Sequence, residues 1–366
     1  MTMREEWIWL AEALGANNRF VQPLLDCFGS AGEVYRQANR ESLRCIEEIN
    51  TATVKALCKK DMKAAEQIAT QCDRAGITIV TYEEDRYPSS LRSIFSPPLV
   101  LYYRGQLPDF SSLPAFTIVG TRKATKEGEK TAYEFAAHLS SRGICIVSGM
   151  AYGIDTQANS GALTGSAPTV AVLGCGVDVV YPPSNLELMD RIIQSGAVIS
   201  EYPPGTRPLA HHFLARNRIM AGLGMGVLVV EAPRVSGALS TAHAALESGK
   251  EVFVVPGSIY SSVCTGSNRL LIEGACPVVS PVDIIDAFQW ILVEEEEKAP
   301  EEKETVSLSP LEEKLFQLLQ YHGKLLIDEL AELAEVEQSR VLSTLMIMEL
   351  KGIVHNLGGD VYQVIG

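Results

Sequence analysis

From residue 115 to residue 290, short continuous apolar runs alternate with segments patterned as helices. The runs are 116–120, 144–148, 169–173, 197–201, 226–231, 252–256 and 277–280. A run that is apolar at every position fits a strand covered on both faces, as in parallel sheets. The segments between them, 127–142, 154–163, 185–195, 216–223 and 240–249, carry helical patterns. Strand and helix in strict alternation predict a doubly wound parallel α/β sheet, which binds ligands beyond the carboxyl ends of its strands.

The flanks differ. In residues 1–75 the apolar positions recur at helical spacing. Trp7, Leu10, Ala11 and Leu14 share a face that Gly15 ends, and Val54, Leu57, Met62, Ala65, Ile68 and Ala69 form another stripe. A helical domain of the SAM-like or helix-hairpin-helix sort is expected. The loop glycine that would hold DNA phosphates in such a hairpin is missing from EEINTATVKAL. Ile77 to Tyr82 and Leu99 to Tyr103 read as strands joined by a connection that Pro88, Pro97 and Pro98 keep from forming a long helix. Glu294 to Glu304 reads as an acidic spacer. Beyond it, helices over 310–321, 327–334 and 338–351 and a hairpin turning at Gly358-Gly359 predict a winged helix. The expected division is therefore 1–75, 76–290, 291–308 and 309–366.

Composition narrows the setting. No apolar run reaches the roughly 18 residues of a membrane span. The first residues, MTMREEWIWLAEALG, place acidic side chains beside the arginine, so neither a signal peptide nor a membrane partner is expected. Eight cysteines without a C-x-x-C pair read as free, mostly buried thiols of a cytoplasmic protein. The net charge of −14 is unevenly spread: −1 over residues 1–79, −3 over 80–290 and −10 over 291–366. The middle of the chain is thus free to hold a local basic cleft.

The candidate chemistry lies where the strands end. The loops Gly120-Thr121-Arg122, Ser148-Gly149-Met150-Ala151, Gly174-Cys175-Gly176, Ser236-Gly237 and Pro256-Gly257 each follow one of these strands, and Gly153 opens the helix after the second. Glycine there lets backbone N–H groups reach an anion, and the next helix start adds positive potential. For any one loop the alternative is tight packing. Arg122 presents a fork suited to phosphate. Arg216, Asn217 and Arg218 are placed at a helix start, where a bound polyanion would offset two cations facing the helix dipole. Asp155 and Asp178 read either as a base and its partner or as caps for loop N–H groups. His211 and His212 lack a cysteine or acidic neighbour, so no metal and no cofactor is expected. No nucleophile–base–acid order is legible, since Ser148 lacks the G-x-S-x-G elbow.

Eight ordered motifs, from IVGTRKAT through IVSGMAYGIDTQA, VLGCGVDVVYP, ISEYPPG, FLARNRIMAGL, VVEAPRVSGALSTA and VPGS to TGSNRLLIEGA, resemble the DprA/Smf family of DNA-processing proteins. The resemblance runs from about Ile77 to Asp283. It implies an extended Rossmann-like domain that binds single-stranded DNA, protects it and loads RecA recombinase on it in natural transformation, as a homodimer and without chemistry of its own. Carried over, the family's DNA pocket falls on Gly120, Thr121, Arg122, Ser148, Gly149, Ala151, Gly174 and Gly176, with the Arg216–Arg218 run on the same edge. Two positions depart from the family. Asn159 stands where histidine is frequent, and Pro183 stands where lysine is frequent, which weakens one phosphate contact. Tyr152, Tyr181 and Phe213 are the aromatics nearest these loops for base stacking. The competing class is an enzyme on the same scaffold, a nucleoside-monophosphate phosphoribohydrolase, or a nucleotide sensor. That hydrolase signature, P-G-G-x-G-T-x-x-E, fails in spacing at Ser236 to Thr241 with Glu247.

Overall fold

The computed structural model describes residues 2–16, 19–288, 309–351, 353–356 and 359–364. The chain forms two compact units, Met1–Glu295 and Glu296–Gly366. The expected spacer over 291–308 and Gly358 of the expected turn lie outside the described residues.

The first unit opens with five helices: α1 (Met3–Leu14), α2 (Val21–Phe28), α3 (Ala31–Gln37), α4 (Thr51–Lys59) and α5 (Lys63–Ala75). Thr2 and Glu5 close a capping box at the start of α1. Strands β1 (Thr78–Thr81) and β2 (Val100–Gly105) flank the short α6 (Ser89–Arg92), which fits between the prolines. Then come β3 (Ala115–Val119), α7 (Lys126–Ser141), β4 (Cys145–Ser148), α8 (Ile154–Ala162), β5 (Thr169–Leu173), α9 (Leu186–Ser195) and β6 (Ala197–Ser200). The unit continues through α10 (Ala210–Leu223), β7 (Gly226–Val229), α11 (Gly237–Glu247), β8 (Glu251–Val254), α12 (Thr265–Ile272), β9 (Cys276–Pro277) and α13 (Pro281–Phe288).

All nine strands join one sheet in the order β1-β2-β6-β5-β4-β3-β7-β8-β9. From β6 to β9 every pairing is parallel, while β1 and β2 add an antiparallel edge beside β6. The doubly wound α/β sheet expected from the alternation is therefore present, and β3, β4, β5, β7 and β8 are buried along most of their length. The opening helices share a core with the antiparallel edge. Trp7, Leu10, Leu24 and Leu57 cluster with Ile79, Val100 and Tyr102, and the Trp7 indole donates to Glu83 Oε2 at 3.1 Å.

One helix starts earlier than its pattern suggested. The segment carrying Arg216, Asn217 and Arg218 was expected to begin at 216, yet α10 begins at Ala210. Its N-cap, Leu209, makes no side-chain bond, and His211 and His212 blur the apolar spacing, so the chain carries no start signal except Pro208. The arginines therefore sit mid-helix, not at its N-terminus, and the dipole argument for them falls away. At its other end, the carbonyls of Ala221 and Gly222 and that of the C-cap Gly224 all accept from Lys250 Nζ at 2.6–2.9 Å. Burial pushes that amine down to about 8.

The second unit holds α14 (Pro310–His322), β10 (Lys324–Leu326), α15 (Ile327–Ala334), α16 (Gln338–Leu350), β11 (Val354–Asn356) and β12 (Val361–Val364). Its three strands pair antiparallel in the order β10-β12-β11. This is the winged-helix arrangement. The three-residue β10 went unread because so short a run carries no period.

Candidate functional site

In a parallel sheet the chain leaves successive strands toward one side until the strand order reverses, and there the loops part to leave a crevice. Here the reversal falls between β3 and β7, which pair directly. From β3 the chain proceeds to β4 on one side, and from β7 to β8 on the other. Beyond these strand ends lies a cleft of about 480 Å³. Gly120, Thr121, Arg122 and Lys123 line it from the first loop, and Pro233, Val235, Ser236 and Gly237 from the second. Ala151 reaches it from the loop after β4 and Asp155 from the first turn of α8, and Phe213, Leu214, Arg216 and Asn217 of α10 form its third wall.

The first loop is fixed from beneath. Thr121 N donates to the Glu231 carbonyl at 2.7 Å, and Thr125 donates to the buried Glu231 carboxylate through both N and Oγ1. Gly153 locks this loop to the next. It holds φ of +74° as the N-cap of α8, and a side chain there would run into Thr121 O and the Arg122 backbone. Ile154 N then donates to Thr121 O at 3.3 Å. The loops after β3 and β4 thus form one rigid rim.

The three consecutive polar residues of α10 point three ways, because neighbours on a helix lie about 100° apart. Arg216 turns inward and is 3% exposed. Its Nη1 donates to the carbonyls of Gly149, at 3.1 Å, and Val172. Asn217 ties α10 to α11, its Nδ2 donating to Gly237 O at 2.9 Å and Ser240 Oγ at 2.7 Å. Arg218 faces away from the cleft and pairs with Glu201 at 2.5 Å, both side chains about nine-tenths buried. Beside Arg216 lies Asp155, and the two crowd the space above Gly149 that a side chain there would need. Burial raises the Asp155 carboxyl to about 6; the Arg216 charge and the N–H groups of Ala151 and Gly120 hold it from rising further. Burial also lowers Arg216 to about 10, with Asp155 opposing that fall.

Arg122 differs in every respect. It is exposed, and among the described residues it forms no ion pair. Its guanidinium lies 5.1 Å from the Phe213 ring centroid, an arrangement that orients a cation without neutralising it. Arg216 approaches the same ring at 5.9 Å, and Tyr181 packs against it at 5.2 Å.

Of the sequence-predicted residues, Gly120, Thr121, Arg122, Ala151, Arg216, Asn217, Ser236 and Gly237 come together on the cleft wall. Gly149 and Gly153 lie behind it. Ser148 is wholly buried, its Oγ donating to Ile118 O at 2.7 Å. Gly174 packs against Phe213, while Gly176 packs against Pro203 and Gly205 and Arg218 turns elsewhere, so these three do not line the cleft. Asp155 and Asp178 both cap loop N–H groups, Asp178 accepting from Gly205 N at 2.8 Å. His212 stacks on Tyr202 at 4.1 Å, and among the described residues no cluster of three or more His, Cys, Asp or Glu side chains is arranged to hold a metal ion. Sequence reasoning missed Lys123, Leu214 and Val235. Lys123 alone had a signal, its place directly after Arg122.

A family model described as DNA recombination-mediator protein A matches residues 59–289, and one described as DprA winged helix domain matches residues 298–360. The DNA processing protein DprA of Streptococcus pneumoniae is 43% identical over 207 residues, which is 57% of this chain and 73% of that protein. That of Bacillus subtilis is 34% identical over 240 residues, 66% of this chain and 81% of that protein. Among solved structures, DprA of Streptococcus pneumoniae superposes with a TM-score of 0.67 at 34% identity, covering 80% of this chain and all of that one. DNA processing protein A of Helicobacter pylori, described for its single-stranded DNA binding mode, superposes at 0.53 and 30% identity, covering 58% of this chain and 96% of that one.

Proposed function

This chain belongs to the DNA recombination-mediator protein A family, and on that premise we propose that it binds single-stranded DNA in the cleft beyond the carboxyl ends of β3 and β7 without chemistry of its own. The observation that carries the reading is Arg122. An exposed guanidinium, aimed by Phe213 and in no ion pair among the described residues, stands at the rim of a cleft edged by glycine-loop N–H groups. Such a rim suits a sugar–phosphate track with little sequence preference. In this reading Gly120, Thr121, Arg122, Ser236 and Gly237 meet the strand. Ala151 shapes the cleft. Ser148, Gly149, Gly153, Arg216 and Asn217 hold its shape, and Gly174 and Gly176 support Phe213 and its surroundings. Arg218 acts only through α10. Phe213 is the surface against which a base would stack.

The finer proposals follow the family. The chain acts in the cytoplasm as a homodimer, protects incoming DNA and delivers RecA recombinase to it during transformation. The helical segment 1–75 and the winged helix 309–366, the latter linked to the DNA-binding domain 76–290 by the acidic spacer 291–308, serve as accessory domains.

The test is length dependence. Affinity for a strand of ~20 nucleotides should exceed that for a mononucleotide by orders of magnitude, because each added phosphate contact releases further counterions. The mononucleotides should be recovered intact after long incubation. Equal affinity for both would favour a nucleotide sensor, and base release that follows the protein through purification would favour the hydrolase.

The winged helix is assigned a protein partner instead of DNA. Residues 291–366 carry a net charge of −10, and Glu332, Glu335, Glu337 and Glu349 oppose phosphate. A chain ending near Glu294 is expected to keep its DNA affinity within a few-fold. A loss of about tenfold, roughly 1.4 kcal/mol, would place DNA on the winged helix after all.

A further inference from the structure

Two exposed cysteines among the opening helices, far in sequence from the cleft residues, touch. Cys27 lies in the last turn of α2, and Cys45 ends a short 3-10 turn, Ser42–Cys45. Eighteen positions separate them, yet their sulfurs are 2.8 Å apart. Of the other six cysteines, four are buried and two half-buried. We propose that Cys27 and Cys45 form a redox-active dithiol that closes to a disulfide on meeting a low-molecular-weight disulfide.

The geometry sets the chemistry. A disulfide bond is about 2.05 Å long, so closure needs less than an ångström of further approach. Both sulfurs are open to a small oxidant. One thiolate attacks the external disulfide, forming a mixed disulfide and releasing one small thiol. The second cysteine, already beside it, attacks the protein sulfur and expels the other small thiol. The protein dithiol loses two electrons, the small disulfide gains them, and the two protons leave with the two released thiols. The second step is intramolecular, with an effective concentration in the millimolar range or above, so the mixed disulfide should not accumulate. The new bond clasps the end of α2 to the turn before α4.

Trypsin separates the partners. Cys27 falls in the peptide 20–36 and Cys45 in the peptide 45–55. The full chain is incubated with oxidised glutathione, its free thiols are blocked with N-ethylmaleimide, and the digest is weighed. The expected result is the linked pair of peptides, about tenfold in excess of glutathione adducts on either one, and reversal by dithiothreitol. In Cys45→Ser the linked species should vanish and Cys27 should hold glutathione as a stable adduct. Separate adducts on Cys27 and Cys45 in the wild type, without the linked pair, would overturn the proposal. So would a link found only between two chains.

Discussion

Replacing Arg216 by methionine is expected to destabilise the protein by about 3–5 kcal/mol, the scale of removing a buried cation from beside a buried carboxyl. Methionine keeps the length and loses every donor. The carbonyls of Gly149 and Val172 lose the Nη1 that reaches both, and buried Asp155 loses the larger of the two positive charges, Arg216 and Arg122, that favour its ionised form. The loss should depend on pH. In the wild type the Asp155 carboxyl titrates near 6, above its ordinary value. The folded state therefore binds more protons than the unfolded state between roughly 4 and 6, and this group's contribution to stability falls as pH rises through that window. Removing Arg216 moves the folded value higher still. The window then stretches toward neutrality, so the variant's deficit should be larger at pH 8 than at pH 5.5. Urea unfolding at the two pH values reads this directly. A variant that unfolds like the wild type but fails to bind DNA would make Arg216 a phosphate contact instead of a strut.

Arg122→Ala should do the reverse. The side chain is exposed and carries no ion pair among the described residues, so the melting temperature should stay within a degree or two. Affinity for every single strand, whatever its sequence, should fall about tenfold, near 1.4 kcal/mol. The plot of log affinity against log salt should lose about 0.7 from its slope, the increment for one phosphate contact on a single strand. Measurements at three salt concentrations suffice. An unchanged slope together with a lowered melting temperature would make Arg122 structural. Asp155, the nearby carboxyl, lies beside Arg216 and feels the Arg122 charge more weakly.

The contrast between these two arginines marks the limit of what the chain makes legible. Strands β3, β4, β5, β7 and β8 were readable because continuous apolar runs have few alternatives, and the glycines after them located the site. Which arginine dives inward was not readable. Arg216 is followed by Asn217 and Arg218, a run as polar as the one holding Arg122, and α10 is buried on most sides of its second half, so no apolar stripe tells inside from outside. The topological switch was hidden as well, because strand order is a matter of pairing and not of pattern. Gly174 and Gly176 follow β5 just as Gly120 follows β3. Only the observed order, with β4 between β5 and β3, separates the loop that parts to form the cleft from the loops that pack beside it. The contact between the opening helices and β1 and β2 was equally out of reach, since Trp7 and Leu10 would look the same in a core of their own.

The two margins of the nine-stranded sheet bear on colloidal behaviour. A long unpaired edge invites another chain to add a strand, the first step toward fibrous aggregates. Neither margin extends that invitation freely. β9 is two residues long and one of them, Pro277, has no N–H to offer, while at the opposite margin β1 is four residues long and packs beside α1 and α5. Growth by sheet extension is thereby discouraged at both margins.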